Sequence, residues 1–155
     1  MNENNIEKEP AGSVIRDNTP RVTGIGGVFF KSKNPAEIRS WYGKNLGLDI
    51  NDWGSQFEFR NAERPDEINL LTWCPFESGS DYFSPSEKEF MINYTVRNIE
   101  GLVKKLSENG VMILDEIETL EYGKFVHIMD PERNKAELWE PVESAITPEG
   151  GETTV

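Results

Sequence analysis

A chain of 155 residues with 28 acidic and 16 basic side chains carries a formal net charge of -12, and its pI is about 4.6. The length suits one domain with a real core. The charge argues against nucleic acid and anionic membrane as partners, since both need a positive footprint, and the single cysteine, Cys74, leaves no intramolecular disulfide and no cysteine cluster for a metal.

No apolar run approaches the roughly 20 residues of a membrane span. The N-terminus, MNENNIEKEPAGS, lacks the basic-then-apolar pattern of a secretion signal, so a cytoplasmic location is expected. Residues 1–20 are polar, carry Pro10 and Pro20 and read as a mobile tail, as do residues 142–155. One domain is expected over 21–141.

Thr23 to Lys31 reads as a strand. Its Gly24, Gly26 and Gly27 mark either a bulge or a place where something approaches the backbone closely. Asn34-Pro35-Ala36-Glu37 is a helix start: Asn34 caps, Pro35 suits the first position, and Glu37 can return a bond to the cap. Ile38, Trp41, Tyr42 and Leu46 follow at helical spacing, and Gly47 stops the helix. Gln56–Arg60, with Glu58 between two phenylalanines, and Ile68–Trp73, with Asn69, are predicted strands. An irregular segment over Cys74–Lys88 follows. Its Tyr82 and Phe83 either cover a pocket or pack the loop onto the core. Cys74 has no activating base nearby in sequence and is expected to be inert.

Glu89–Val96 is a further strand. Its neighbours Asn93 and Tyr94 point to opposite faces, so at most one lines a cleft. Asn98 caps a second helix with Ile99, Leu102, Val103 and Leu106 on one face, ending at Gly110, and Val111–Ile117 is extended. The last stretch reads as a β-hairpin: Phe125–Met129 and Lys135–Trp139 joined by Asp130-Pro131-Glu132-Arg133-Asn134. It holds the only histidine, His127, and Glu137 within an apolar run. Glu137 is either a solvated strand glutamate or a carboxylate aimed into a cavity. In a dry pocket its pKa would rise, which suits a general base. His127 is a core histidine, or an acid/base partner of Glu137 if the two share a face. One register slip reverses that answer. Trp53, Trp73, Tyr122 and Trp139 are aromatic walls or core.

The two halves, about 22–75 and 88–141, repeat one order: strand, Asn-capped helix, glycine stop, strands. Aligning them places Gly27 on Met91, Asn34 on Asn98 and Asn69 on Glu137. With NPAEIRSWYGKNLGL in the first half and FVHIMDPERNKAELWEP in the second, the chain resembles the vicinal oxygen chelate superfamily of glyoxalase, bleomycin-resistance and extradiol-dioxygenase proteins. Arg133 stands where the family's turn usually has glycine. The resemblance implies an α+β fold, two βαβββ modules forming one open barrel-like cleft, and commonly a homodimer. It also implies a divalent metal held by His, Gln or Glu from the first and last strands of each half. Here the repeat puts Gly27, Asn69, Met91 and Glu137 at those places, and Glu137 alone suits such an ion.

The expectation is therefore a metal-poor or metal-free cleft that binds or sequesters a small organic ligand, with no firm cofactor. Glu137 and His127 are the catalytic candidates. Tyr94, Asn93, Glu58, Asn69 and Trp73 are the ligand-binding candidates. The acidic balance would suit a cationic ligand, though it also serves solubility. A second reading is a glyoxalase-like lyase or isomerase, or a dioxygenase, with an atypical divalent metal site that includes Glu137. A third is a structural or regulatory dimer without a ligand.

Overall fold

The computed structural model describes residues 17–142. Most of both expected tails falls outside that range. Within it, Asp17 and Asn18 are tied to the start of the second helix, where Arg97 Nη1 donates to the Asp17 carbonyl at 3.4 Å and Asn98 Nδ2 donates to the Asn18 carbonyl at 3.1 Å.

The elements in chain order are β1 (Arg21–Ser32), α1 (Pro35–Leu46), β2 (Ser55–Arg60), β3 (Ile68–Glu77), β4 (Phe90–Arg97), α2 (Ile99–Glu108), β5 (Met112–Ile113), β6 (Glu118–Leu120), β7 (Gly123–Met129) and β8 (Lys135–Pro141). The strands form one open mixed sheet in the order β2-β3-β1-β4-β8-β7-β5, with β6 also paired to β7. The β1–β3 and β4–β8 pairs are parallel, and β1 meets β4 antiparallel. The sheet is thus built as two related halves joined at β1 and β4. No described helix is long and apolar enough to cross a membrane.

Local chemistry sets the helix ends. Asn34 Oδ1 accepts from the Glu37 amide at 3.1 Å, and Asn34 Nδ2 donates to the Glu37 carboxylate at 3.2 Å, a reciprocal cap. Gly47, at φ 72°, closes α1 in the left-handed region. Asn98 caps α2 by accepting from the Gly101 amide. A second cap comes from the last strand, where the Glu140 carboxylate accepts from the Asn98 and Ile99 amides at 2.9 and 3.2 Å. Its negative charge also suits the positive end of the helix dipole.

Side-chain alternation divides the sheet faces. On the helix face, Val96, Ile99, Leu102, Val126 and Leu138 form a core joined by Tyr94 and Leu106. Trp73 packs there against Phe30 and against Tyr42 of α1. On the other face, Phe29 and Met91 are covered by Phe83, which is fully buried. Phe83 comes from the loop between β3 and β4, so this part of the loop packs onto the core.

Two expectations change in register. Strand β3 runs on to Glu77, past the predicted end at Trp73, because it keeps pairing with β1 as far as Ser32. Pro75 is tolerated there because it lies beyond the end of β2, which pairs only as far as Trp73. The repeat alignment also shifts. Gly27 lies opposite Asn93 across the central joint and opposite Thr72 in β3, while Asn93 lies opposite Glu137 in β8. The related positions are therefore Gly27 with Asn93, and Thr72 with Glu137. Irregularities in β1 between Val22 and Gly24 and between Ile25 and Gly27 displace the strand register, whereas the helix caps keep the original spacing.

Candidate functional site

The site begins with the closing hairpin. Its turn is fixed by Asp130, whose carboxylate accepts from the Glu132 and Asn134 amides at 2.9 and 2.8 Å. Arg133 takes φ 65° there, the left-handed conformation that makes glycine the usual residue at this place. With the turn set, β7 and β8 pair so that His127 lies directly opposite Glu137. The two share the face turned away from the helices.

Glu137 is 4% exposed and His127 8%. His127 Nε2 lies 2.7 Å from Glu137 Oε2, and its Nδ1 lies 2.6 Å from Asp115 Oδ2. The backbone amide of His127 also donates to Asp115, at 2.7 Å. A carboxylate only accepts, so the two contacts together favour the doubly protonated ring, the imidazolium. Asn93, 3% exposed, donates from Nδ2 to Glu137 Oε1 at 2.6 Å. The hydroxyl of Tyr82 donates to Glu137 Oε2. Glu137 is thus a buried anion held by three donors, His127 from β7, Asn93 from β4 and Tyr82 from the β3–β4 loop.

The titration of these groups follows from that geometry. Burial alone would raise the pKa of Glu137, as expected from the sequence. The bonds from His127, Tyr82 and Asn93 outweigh it and hold the carboxyl below its ordinary range. Burial likewise disfavours the charged form of His127, but the bonds to Glu137 and Asp115 overcome it and raise its pKa. The Tyr82 phenol is pushed well above its ordinary value by burial and by the Glu137 carboxylate, with smaller effects of Asp115 and Glu118. A base with a raised pKa is therefore not what Glu137 provides; it is a fixed anion.

The candidates from sequence divide by face. His127, Glu137 and Asn93 come together. Tyr94 lies on the opposite side of β4, packed into the α2 core. Trp73 belongs to the α1 side, and Asn69, four residues before it on the same strand, shares that side. These three do not reach the site, because strand alternation turns them away. Glu58 sits opposite Leu70 on β2, four strands from β8, and pairs with Arg60 at 3.3 Å. Met91 is core beneath Phe83. Sequence reasoning did not assign a role to Asp115 or to the Tyr82 hydroxyl. The one available signal was Asp115 at the end of the apolar run Val111–Leu114.

The glycines of β1 form the floor beside Asn93. A Cβ on Gly26 would stand 2.5 Å from Asn93 Oδ1, 2.9 Å from Thr95 Cγ2 and 3.0 Å from Trp139 Cε3. The glycine is there because three site-face side chains lie over it, which joins the two sequence readings of a bulge and a close approach. Gly26→Ala is expected to destabilise by about 1–3 kcal/mol through overpacking. Urea denaturation would show this against Gly79→Ala, where an added Cβ meets nothing within 4 Å. Equal midpoints for the two variants would contradict the packing argument.

Gly27 and Thr72, the related strand positions, offer neither imidazole nor carboxylate. Both oxygens of Glu137 and both nitrogens of His127 are committed to protein partners. Among the described residues, no group of three or more His, Cys, Asp and Glu side chains is arranged to hold a metal ion.

No protein-family model and no curated protein matches the sequence. Solved structures do match. A methylmalonyl-CoA epimerase variant from Streptomyces coelicolor, in complex with 2-nitronate-propionyl-CoA, superposes with a TM-score of 0.58 at 11% identity, covering 79% of this chain and 99% of that one. The methylmalonyl-CoA epimerase from Mycobacterium tuberculosis gives 0.53 at 16% identity, over 83% and 94%. The Mn(II)-bound glyoxalase from Novosphingobium aromaticivorans gives 0.52 at 12% identity, over 83% of this chain and 40% of that one. At such identities the likeness speaks for architecture, and together with the two-half sheet it shows that the chain has the vicinal oxygen chelate fold.

Proposed function

We propose that this protein binds a small organic ligand on the site face of its sheet without a resident divalent metal. One observation carries the reading: every oxygen of the central carboxylate, Glu137, is already engaged by Tyr82, His127 and Asn93. Such a group anchors and polarises a cleft; three of the roughly four lone-pair sites of a carboxylate are already taken by protein donors. The aromatic side chains around it supply apolar contact, with Phe125 stacked on Trp139 at 6.0 Å and Tyr82 stacked on Phe76 at 5.5 Å.

Calorimetric titration of Mn, Fe(II), Ni and Zn into the metal-stripped protein is expected to show no stoichiometric site. A thermal-shift screen of neutral and cationic aromatic compounds is expected to give stabilising hits. A stoichiometric metal site abolished in Glu137→Ala would overturn this reading.

The chain Asp115–His127–Glu137 favours a second reading, an enzyme that moves a proton on its bound substrate. An imidazolium oriented by two carboxylates is a positioned proton donor, and the fold is shared with the epimerases named above. Turnover by wild type that disappears in His127→Gln, with ligand affinity retained, would select this reading over simple binding.

A further inference from the structure

Tyr82 belongs to the loop between β3 and β4 and is 40% exposed, yet its hydroxyl reaches the carboxylate of Glu137 at the sheet floor. Its ring lies flat on Phe76, at 5.5 Å and 7°, and meets the His127 ring edge-on at 5.5 Å. The loop backbone around it is fastened separately. Lys135 Nζ donates to the carbonyls of Tyr82 and Ser84 at 2.7 and 3.0 Å, Ser86 Oγ donates to the Arg133 carbonyl at 2.7 Å, and Phe83 is buried next door. The side chain of Tyr82 can therefore turn out while its backbone stays. What it leaves is a slot with an aromatic face, Phe76, and a carboxylate acceptor, Glu137.

We propose that Tyr82 is a built-in occupant of a phenol-binding slot, and that neutral phenols bind by displacing its ring from Phe76 and its hydroxyl from Glu137. This rests on the metal-free ligand-binding reading above and names its ligand class. The slot selects a neutral aromatic donor for electrostatic reasons. Glu137 on β8, Asp115 before β6 and Glu118 on β6 all disfavour a negative charge at the Tyr82 hydroxyl, so an anion is rejected. The His127 ring on β7 meets the Tyr82 ring edge-on and Lys135 Nζ stands 5.3 Å from its centroid, so the place beside Phe76 suits an aromatic ring with a cation over its face. The phenol hydroxyl donates to a charged acceptor, one of the stronger hydrogen bonds.

The test is calorimetry with p-cresol and 4-methylanisole on wild type, Tyr82→Phe and Tyr82→Ala. Tyr82→Ala is expected to bind p-cresol at least about tenfold more tightly than wild type, and about tenfold more tightly than 4-methylanisole, which has no donor; this is the scale of one hydrogen bond to a charged group. Tyr82→Phe keeps the ring and loses the hydroxyl bond, so it should fall between the other two. It also serves if the alanine variant is poorly folded. With 4-nitrophenol, binding should weaken as pH rises through that phenol's own ionisation. Equal affinity of Tyr82→Ala for p-cresol and 4-methylanisole, or no gain over wild type, would overturn the slot. If those titrations fail but a screened compound binds wild type, the slot falls and the ligand-binding reading stands. If neither p-cresol nor the screen yields binding, both fall.

Discussion

Glu137→Ala is expected to lower the unfolding free energy by about 3–5 kcal/mol, the usual cost of removing one partner from a buried charge pair. The reason is what the substitution leaves behind. His127 keeps its proton on the side of Asp115 but loses the acceptor at Nε2. Asn93, 3% exposed and with its Oδ1 already unpartnered, loses the acceptor for Nδ2 as well. Tyr82 loses its anchor at the floor. Glu137→Gln keeps the shape and one acceptor oxygen and should cost clearly less. Urea denaturation of both variants measures the difference. A double-mutant cycle with Tyr82→Phe then isolates the Tyr82–Glu137 coupling, which neighbouring groups in one network should show at roughly 0.5–3 kcal/mol. A loss below about 1 kcal/mol in Glu137→Ala would mean that water replaces the carboxylate, and the fixed-anion description of the site would fail.

Much of the fold is written locally and was legible for that reason. The caps at Asn34 and Asn98, the stop at Gly47 and the Asp130 turn each rest on residues within a few positions of one another. The hairpin was therefore readable, and so was the presence of a histidine and a glutamate in it. Their meeting was not, because a single slip of the β7–β8 register turns one of them to the helix core. The same alternation removed Tyr94, Asn69 and Trp73 from the site, since sequence spacing cannot say which face of a strand a helix will cover. Asp115 and Tyr82 were harder still. Asp115 sits in an irregular stretch placed by one backbone bond, from the Leu114 amide to the His127 carbonyl at 2.9 Å. Tyr82 arrives from a loop 55 residues away from Glu137. The error about the pKa of Glu137 has the same origin: burial was foreseeable from an apolar strand, but the three donors that reverse its effect come from β7, β4 and the β3–β4 loop. Nonlocal partners decide the electrostatics of the site, while local patterns decide the scaffold.

Stability is expected to be greatest between about pH 4.5 and 6.5, below neutrality, because the two central groups are displaced in opposite directions. Glu137 titrates below its ordinary 4.5 in the folded protein. Its contribution is complete above pH 4.5 and is lost as pH falls through the lower folded value. His127 titrates above its ordinary 6.5 when folded. Its contribution is complete below pH 6.5 and is lost as pH rises through the higher folded value. Between the two ordinary values the imidazolium and the carboxylate are both charged, and the pair is at full strength. Asp130, held low by its bonds from Asn134 and Glu132, adds to the acid limb. Urea unfolding from about pH 3 to about pH 9 should trace this curve, and His127→Gln should flatten its limb between pH 6.5 and 9 while leaving an acid limb in place. Glu137→Gln should do the reverse at low pH and also weaken the alkaline limb, since the histidine then keeps only Asp115 as a carboxylate partner. A wild-type protein as flat as His127→Gln above pH 6.5 would show that the imidazolium adds nothing to the folded state. The second reading of the site, which needs a positioned proton donor, would lose its support in the same experiment.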